Sequence, residues 1–218
     1  MLAEMAEVML PKGDNLDPAA FLVFALTASS GRRAGEFTSP ADGFTVSQKD
    51  AEVLDDQLVI KVYGAKTRKD QHRPEIITYQ RRPGALCPVQ TYNRHVQFLR
   101  AKQWRNPSWP LAVSENKRGE PTHLPYSAYR VLYQKTAKEV DPHRRVTPKS
   151  SRQSVACRAF SQLRDGQEAK AQATKARAGW HPRGLTFIKS YVRKVRDQDP
   201  ISRCRRRPRR LGPSRLTK

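Results

Sequence analysis

Residues 178–193 read AGWHPRGLTFIKSYVR. A glycine and a tryptophan close one helix, a polar turn follows, and a short amphipathic helix then presents one tyrosine, Tyr191. Phe187, Tyr191 and Val195 fall at i, i+4 and i+8, so spacing by itself makes Tyr191 a core or boundary residue. Any further role for its hydroxyl has to come from the residues that precede it.

The chain has 218 residues, enough for one good-sized domain or two small ones. Its 42 Lys and Arg against 20 Asp and Glu give a net charge of +22, far beyond what solubility needs, so a polyanion is the natural partner. Residues 201–218 hold eight of those positive charges and no acid, leaving 34 basic against 20 acidic residues before them; the body is basic in its own right. Nucleic acid fits better than membrane. No run approaches the roughly 18 apolar residues of a spanning helix, and the most apolar stretch, residues 19–28, is bounded by Asp17 and Gly31. Glu4 and Glu7 interrupt the N-terminal apolar residues, so no secretory signal is read and an intracellular protein is expected. Cys87, Cys157 and Cys204 are widely spaced and odd in number, which reads as reduced thiols rather than a disulfide framework or a zinc site. The five histidines are equally dispersed, so neither a protein-held metal nor another cofactor is expected.

Asp17-Pro18 is a strong helix start, and the helix from Ala19 to about Thr27 is apolar on nearly every side, which predicts the buried centre of the domain. It runs into Arg32-Arg33, a pair that cannot lie unpaired in apolar core and so belongs to a surface turn or a site lining. Residues 38–50 read as a loop. Gln57–Tyr63 and Glu75–Tyr79 predict a β-hairpin with a long basic loop between them. Helices are predicted from Pro88 to about Gln103, from Tyr126 to about Glu139, from Pro148 through Leu163, and from Gln167 to Ala178, with a short strand at Leu111–Val113. Lys149 and Arg152 stand three apart at the start of the Pro148 helix, so both project from one helix end. Past Pro200 the sequence has no apolar period and is expected to be a disordered basic tail.

The segments SSGRRAGEF (29–37), KVYGAKTRKD (61–70), LCPV (86–89), PKSSRQSVA (148–156) and AGWHPRGLTFIKSYVR (178–193), in this order, resemble the catalytic domain of the tyrosine recombinases, the phage-integrase superfamily. The likeness is greatest to recombinases of eukaryotic mobile elements of the DIRS and Crypton type. It spans roughly residues 20–195 and implies a mainly helical α+β domain with a small antiparallel sheet, occupying residues 1–200. Residue by residue, it makes Arg33 the first catalytic arginine, with Arg32 as the alternative, and Lys66 the mobile hairpin lysine. Lys149 and Arg152 take the positions of an H-x-x-R pair, Trp180 stands where a histidine or tryptophan is usual, and Tyr191 matches the nucleophile.

The chemistry explains such a set. A tyrosine hydroxyl attacking a DNA phosphodiester builds negative charge on the non-bridging oxygens, which two guanidiniums neutralise with fixed geometry. Lys66 can protonate the departing 5′-oxygen, and Trp180 can donate its indole N–H to the phosphate. The covalent 3′-phosphotyrosine retains the bond energy for rejoining to a second strand. The resemblance implies double-stranded DNA as partner, self-association on it as a tetramer, and a nuclear location.

Two departures bear on activity. Lys149 replaces a histidine that titrates near neutrality. Such enzymes also carry a helical DNA-clamping domain ahead of the catalytic one, whereas only residues 1–16 precede the first core helix, so that domain is expected to be absent. Two other readings therefore stand beside the active recombinase: a catalytically silent DNA-binding remnant of one, and a basic nucleic-acid-binding protein whose motif matches are accidental.

Overall fold

Asp17 and Pro18 start a helix as a side-chain cap and an N1 proline should. The Asp17 carboxylate accepts from the Ala19 N–H at 2.9 Å, and Pro18 occupies a position whose N–H has no helical partner. In this helix, α1 (Pro18–Ser30), eleven of thirteen residues are buried, so it serves as the axis of the domain rather than as an amphipathic cover. The computed structural model describes Met5 and residues 17–38, 46–63, 74–143 and 147–180.

Among the described residues, a three-stranded antiparallel sheet and four further α-helices of ten or more residues lie around α1. The sheet comprises β1 (Ala51–Leu54), β2 (Gln57–Val62) and β3 (Glu75–Gln80), in the order β1-β2-β3. Leu58, Ile60 and Val62 alternate onto its buried face, and the register sets Leu58 opposite Tyr79 and Ile60 opposite Ile77. The predicted hairpin is thus β2–β3, and β1 adds a strand that was not expected. It joins β2 through Asp55-Asp56, both at positive φ, the backbone of a tight two-residue turn. Residues 64–73, with Lys66, lie outside the described residues.

Helices α2 (Pro88–Ala101), α3 (Tyr126–Val140), α4 (Pro148–Arg164) and α5 (Glu168–Arg177) match the expected segments within a few residues. The strand expected at Leu111–Val113 instead begins at Val113: β4 (Val113–Glu115) pairs with β5 (Pro121–His123). Leu111 is bonded elsewhere, its N–H donating to Val46 O at 2.7 Å. Tyr129 and Tyr133 of α3 are fully buried, with the Tyr133 ring edge-on to Phe24 at 5.7 Å and its hydroxyl 3.1 Å from Ser151 Oγ of α4. This core holds the starts of α3 and α4 beside the end of α1.

Gly31 ends α1 at φ +73°, with its N–H bonded to Thr27 O at 2.8 Å. A Cβ there would lie 2.8 Å from Val155 Cβ, so the α1 terminus touches α4 with no room for a side chain. Gly31→Ala combines left-handed strain with that clash, and it is expected to destabilise the fold by about 2 kcal/mol or more. Chemical denaturation would measure it; a loss under about 0.5 kcal/mol would show the contact to be slack.

His95 of α2 is wholly buried, with Nε2 2.8 Å from Leu111 O. Burial pulls its pKa from 6.5 down to about 4, against the raising effect of the Leu111 carbonyl. The folded pKa lies below the unfolded one, so its contribution is complete above pH 6.5 and is lost as pH falls from there toward 4. The loss amounts to roughly 3 kcal/mol. Unfolding free energies of wild type and His95→Gln across this range should converge as the pH drops; parallel profiles would refute the assignment.

Candidate active site

The two arginines that follow Gly31 meet opposite environments. The Arg32 side chain is 2% exposed: Nε donates to Arg177 O at 3.1 Å, Nη1 to Glu36 Oε2 at 3.2 Å, and Nη2 meets the Glu75 carboxylate. Burial acts to lower its pKa, but Glu36 and Glu75 outweigh it and hold the pKa above the ordinary arginine value, so the group is a charged buried centre. Glu75 opens β3 opposite Val62. One guanidinium therefore ties the short 3₁₀ turn Ala34–Glu36, the base of the β2–β3 hairpin and the end of α5 to the exit of α1.

The α5 terminus is shaped to receive it. The Gly179 N–H donates to Ala176 O at 2.9 Å and the Trp180 N–H to Lys175 O at 3.0 Å, with Gly179 at φ +65°. A Cβ at Gly179 would stand 3.1 Å from Arg32 Cζ. Glycine is thus required both by the turn and by the approach of the guanidinium.

Arg33 turns outward, 49% exposed, with Nη1 3.8 Å from Glu36 Oε1. It lines an open cleft of about 460 Å³ with Arg32, Ala34 and Gly35 from the α1 exit, Tyr126 from the start of α3, and Pro148, Lys149 and Arg152 from the start of α4. No carboxylate lines this cleft among the described residues. The α4 terminus is built by a capping box between Thr147 and Ser150 with Pro148 at N1, which sets Lys149 and Arg152 one turn apart on the cleft side. The first turn of α4 also brings its partial positive charge there.

Arg152 is 5% exposed yet reaches the cleft, because its guanidinium is held from behind. Nη1 donates to Gly31 O at 2.7 Å and Cζ lies 4.7 Å from the centre of the Trp180 ring. Trp180 in turn packs on Ala156, Ala159, Phe160 and Leu163, a small apolar cluster between α4 and the end of α5.

Of the six residues singled out from sequence, Arg33, Lys149 and Arg152 therefore share one cleft, and Trp180 backs Arg152. Lys66 and Tyr191 lie outside the described residues. Arg32, the alternative to Arg33, forms the inner wall with its guanidinium committed to two carboxylates. Tyr126, 42% exposed in the same cleft, was read only as a helix start, and Glu75 only as a strand residue. Among the described residues no group of three or more His, Cys, Asp or Glu side chains is placed to hold a metal, and no helix is long and apolar enough to cross a membrane.

No protein-family model and no curated protein sequence matches this chain. Solved structures do. The crystal structure of XerA recombinase is similar with a TM-score of 0.53 and 16% identity, over 90% of this chain and 61% of that one. The XerH site-specific recombinase bound to palindromic difH substrate, a post-cleavage complex, gives 0.56 and 12% over 90% of this chain and 50% of that one. Its pre-cleavage complex with difH gives 0.54 and 14% over 92% and 51%. The chain thus spans between half and about three fifths of the length of these recombinases. At such identities the likeness is one of fold: this chain has the mainly helical α+β fold, with a small antiparallel sheet, of the tyrosine recombinase catalytic domain.

Proposed function

We propose that the chain is the catalytic part of a DNA strand transferase that cuts and rejoins double-stranded DNA through a 3′-phosphotyrosine. The observation that carries this reading is the cleft, lined by no carboxylate among the described residues, where Arg33, Lys149 and Arg152 converge from two separate elements on a recombinase fold. Such a cleft suits a phosphodiester, whose non-bridging oxygens accept paired N–H donors from a guanidinium. The XerH structures, solved on difH substrate before and after cleavage, support duplex DNA as the partner. The order of motifs from SSGRRAGEF to AGWHPRGLTFIKSYVR supports the kinship with mobile-element recombinases, residues 1–200 as the catalytic unit, and a nuclear, DNA-assembled tetramer.

In this mechanism the Tyr191 hydroxyl releases its proton to solvent as its oxygen attacks phosphorus, a P–O bond to tyrosine forms, and the bond to the 5′-oxygen breaks. Lys66 delivers a proton to that leaving oxygen. Arg33 and Arg152 hold the charge that develops on the non-bridging oxygens, Arg152 kept in place by Gly31 O and Trp180. Lys149 adds a hydrogen bond to the phosphate. It also favours a second reading, a silent DNA-binding remnant, because an ammonium does not replace a base that titrates near neutrality.

Covalency separates the two. Incubated with nicked suicide duplexes of pooled sequence, the protein should give a protein–DNA adduct on a denaturing gel, and Tyr191→Phe should give none. Duplex binding without any adduct would select the remnant.

Arg32 and Arg33 should part company in the same assay. Arg33→Ala, at a half-exposed site, should change stability by less than about 0.5 kcal/mol and lower adduct formation roughly 100-fold. Arg32→Ala strands Glu36 and Glu75 and should cost about 3 kcal/mol of folding stability. Full adduct yield from Arg33→Ala would remove it from the mechanism.

A further inference from the structure

A second basic hollow lies apart from the cleft. Its volume is about 100 Å³, and Ser29, Tyr79, Gln80, Arg82, Arg158 and Arg177 line it, none of which lines the cleft. The three arginines come from three places: Arg82 from the turn after β3, Arg158 from the middle of α4, and Arg177 from the end of α5. None of them forms an ion pair with a carboxylate among the described residues.

Arg82 is fixed rather than a solvated chain. Its Nε and Nη2 both donate to Leu86 O, at 3.1 and 2.6 Å, and Nη2 also donates to Ser29 Oγ at 2.6 Å. These bonds leave Nη1 without a protein acceptor among the described residues. Burial, followed by the positive charges of Arg158 and Arg177, pulls the Arg82 pKa below the ordinary arginine value, so the three cations sit close enough to repel one another. The buried Arg32, by contrast, is neutralised by two carboxylates. Here the neutralising charge is not supplied by the described residues.

We propose that this hollow is a second phosphate-binding site, taking a single phosphate group, either of a DNA backbone or as free phosphate. Three guanidiniums from separate elements line the site together with Gln80, and a tetrahedral oxyanion has enough acceptors for several donors at once. At less than a quarter of the cleft volume, the hollow suits one such group rather than a larger ligand. Arg177 links the two sites, since its side chain lines the hollow while its carbonyl accepts from Arg32 Nε. A bound phosphate therefore bears on the segment that ends in Gly179 and Trp180.

The test follows the Arg82 Nε–H and Gln80 side-chain amide signals of the full chain by NMR during titration with inorganic phosphate at constant ionic strength. Saturable shifts are expected. The exposed pair Arg158→Ala/Arg177→Ala should weaken them at least tenfold, and Arg33→Ala should leave the midpoint within twofold. Shifts that never saturate, that persist in the double variant, or that vanish with Arg33→Ala would overturn the proposal. Arg82 is left intact because its bonds to Leu86 and Ser29 support the fold. The source of the phosphate follows from duplex binding by the double variant. A fall of about 0.9 in the slope of log K against log salt per lost phosphate contact identifies DNA, and an unchanged slope identifies free phosphate. No strand cleavage enters these readouts, and Tyr191→Phe should behave as wild type in them, so failure here is distinct from failure of the strand-transfer reading.

Discussion

Arg32 is a full charge at the centre of a domain whose axis, α1, is apolar, and the surrounding architecture answers to it. A buried guanidinium is tolerated only where its donors are met and its charge is balanced. Glu36 comes from the next turn, Glu75 from the start of β3, and the Arg177 carbonyl from the end of α5. These three lie far apart in sequence, so satisfying one side chain fixes the mutual placement of the α1 exit, the β2–β3 hairpin and the segment that leads into residues 178–193. The charge is costly to bury and strongly destabilising to leave unpaired. That asymmetry makes the arrangement specific, because any packing that displaces one of the three partners exposes a large penalty.

The neighbouring arginine takes the opposite course for the same reason. With Arg32 absorbing the buried carboxylates, Arg33 faces an opening where no acid competes for it among the described residues except Glu36, at 3.8 Å. Arg152 is oriented in another way, by a backbone carbonyl and an aromatic face. Supports of this kind fix the direction in which a guanidinium points. The close contact of Gly31 with Val155 brings the Gly31 carbonyl within reach of Arg152, so a steric feature of helix packing sets an electrostatic feature of the cleft.

Much of this was legible in the sequence because the signals were local. Asp17-Pro18, Pro88 and Pro148 mark helix starts, and the alternation of Leu58, Ile60 and Val62 marks a strand. Strand β1 escaped because its turn is Asp55-Asp56, without the glycine that usually signals a hairpin, and because only Ala51 of the strand is fully buried. The pairing of Arg32 with Glu75 was illegible for a different reason. It joins residues 43 positions apart, and no spacing rule connects an arginine after a helix to a glutamate at a strand start. Tyr126 was hidden in the same way, since a helix-start tyrosine becomes a cleft residue only through the packing of α3 beside α4.

The placement of positive charge by the fold argues for a division of labour that net charge alone does not express. A chain of +22 would bind a polyanion from almost any face. Among the described residues, however, the fold spends carboxylates selectively: two on Arg32, where a charge holds elements together, and none in the lining of the cleft or of the Arg82 hollow. The three arginines around the Arg82 hollow have no carboxylate partner among the described residues, and their repulsion would be relieved by a bound anion. On the proposed phosphate-binding reading, the same electrostatic cost that lowers the stability of the empty cluster strengthens its hold on an anion.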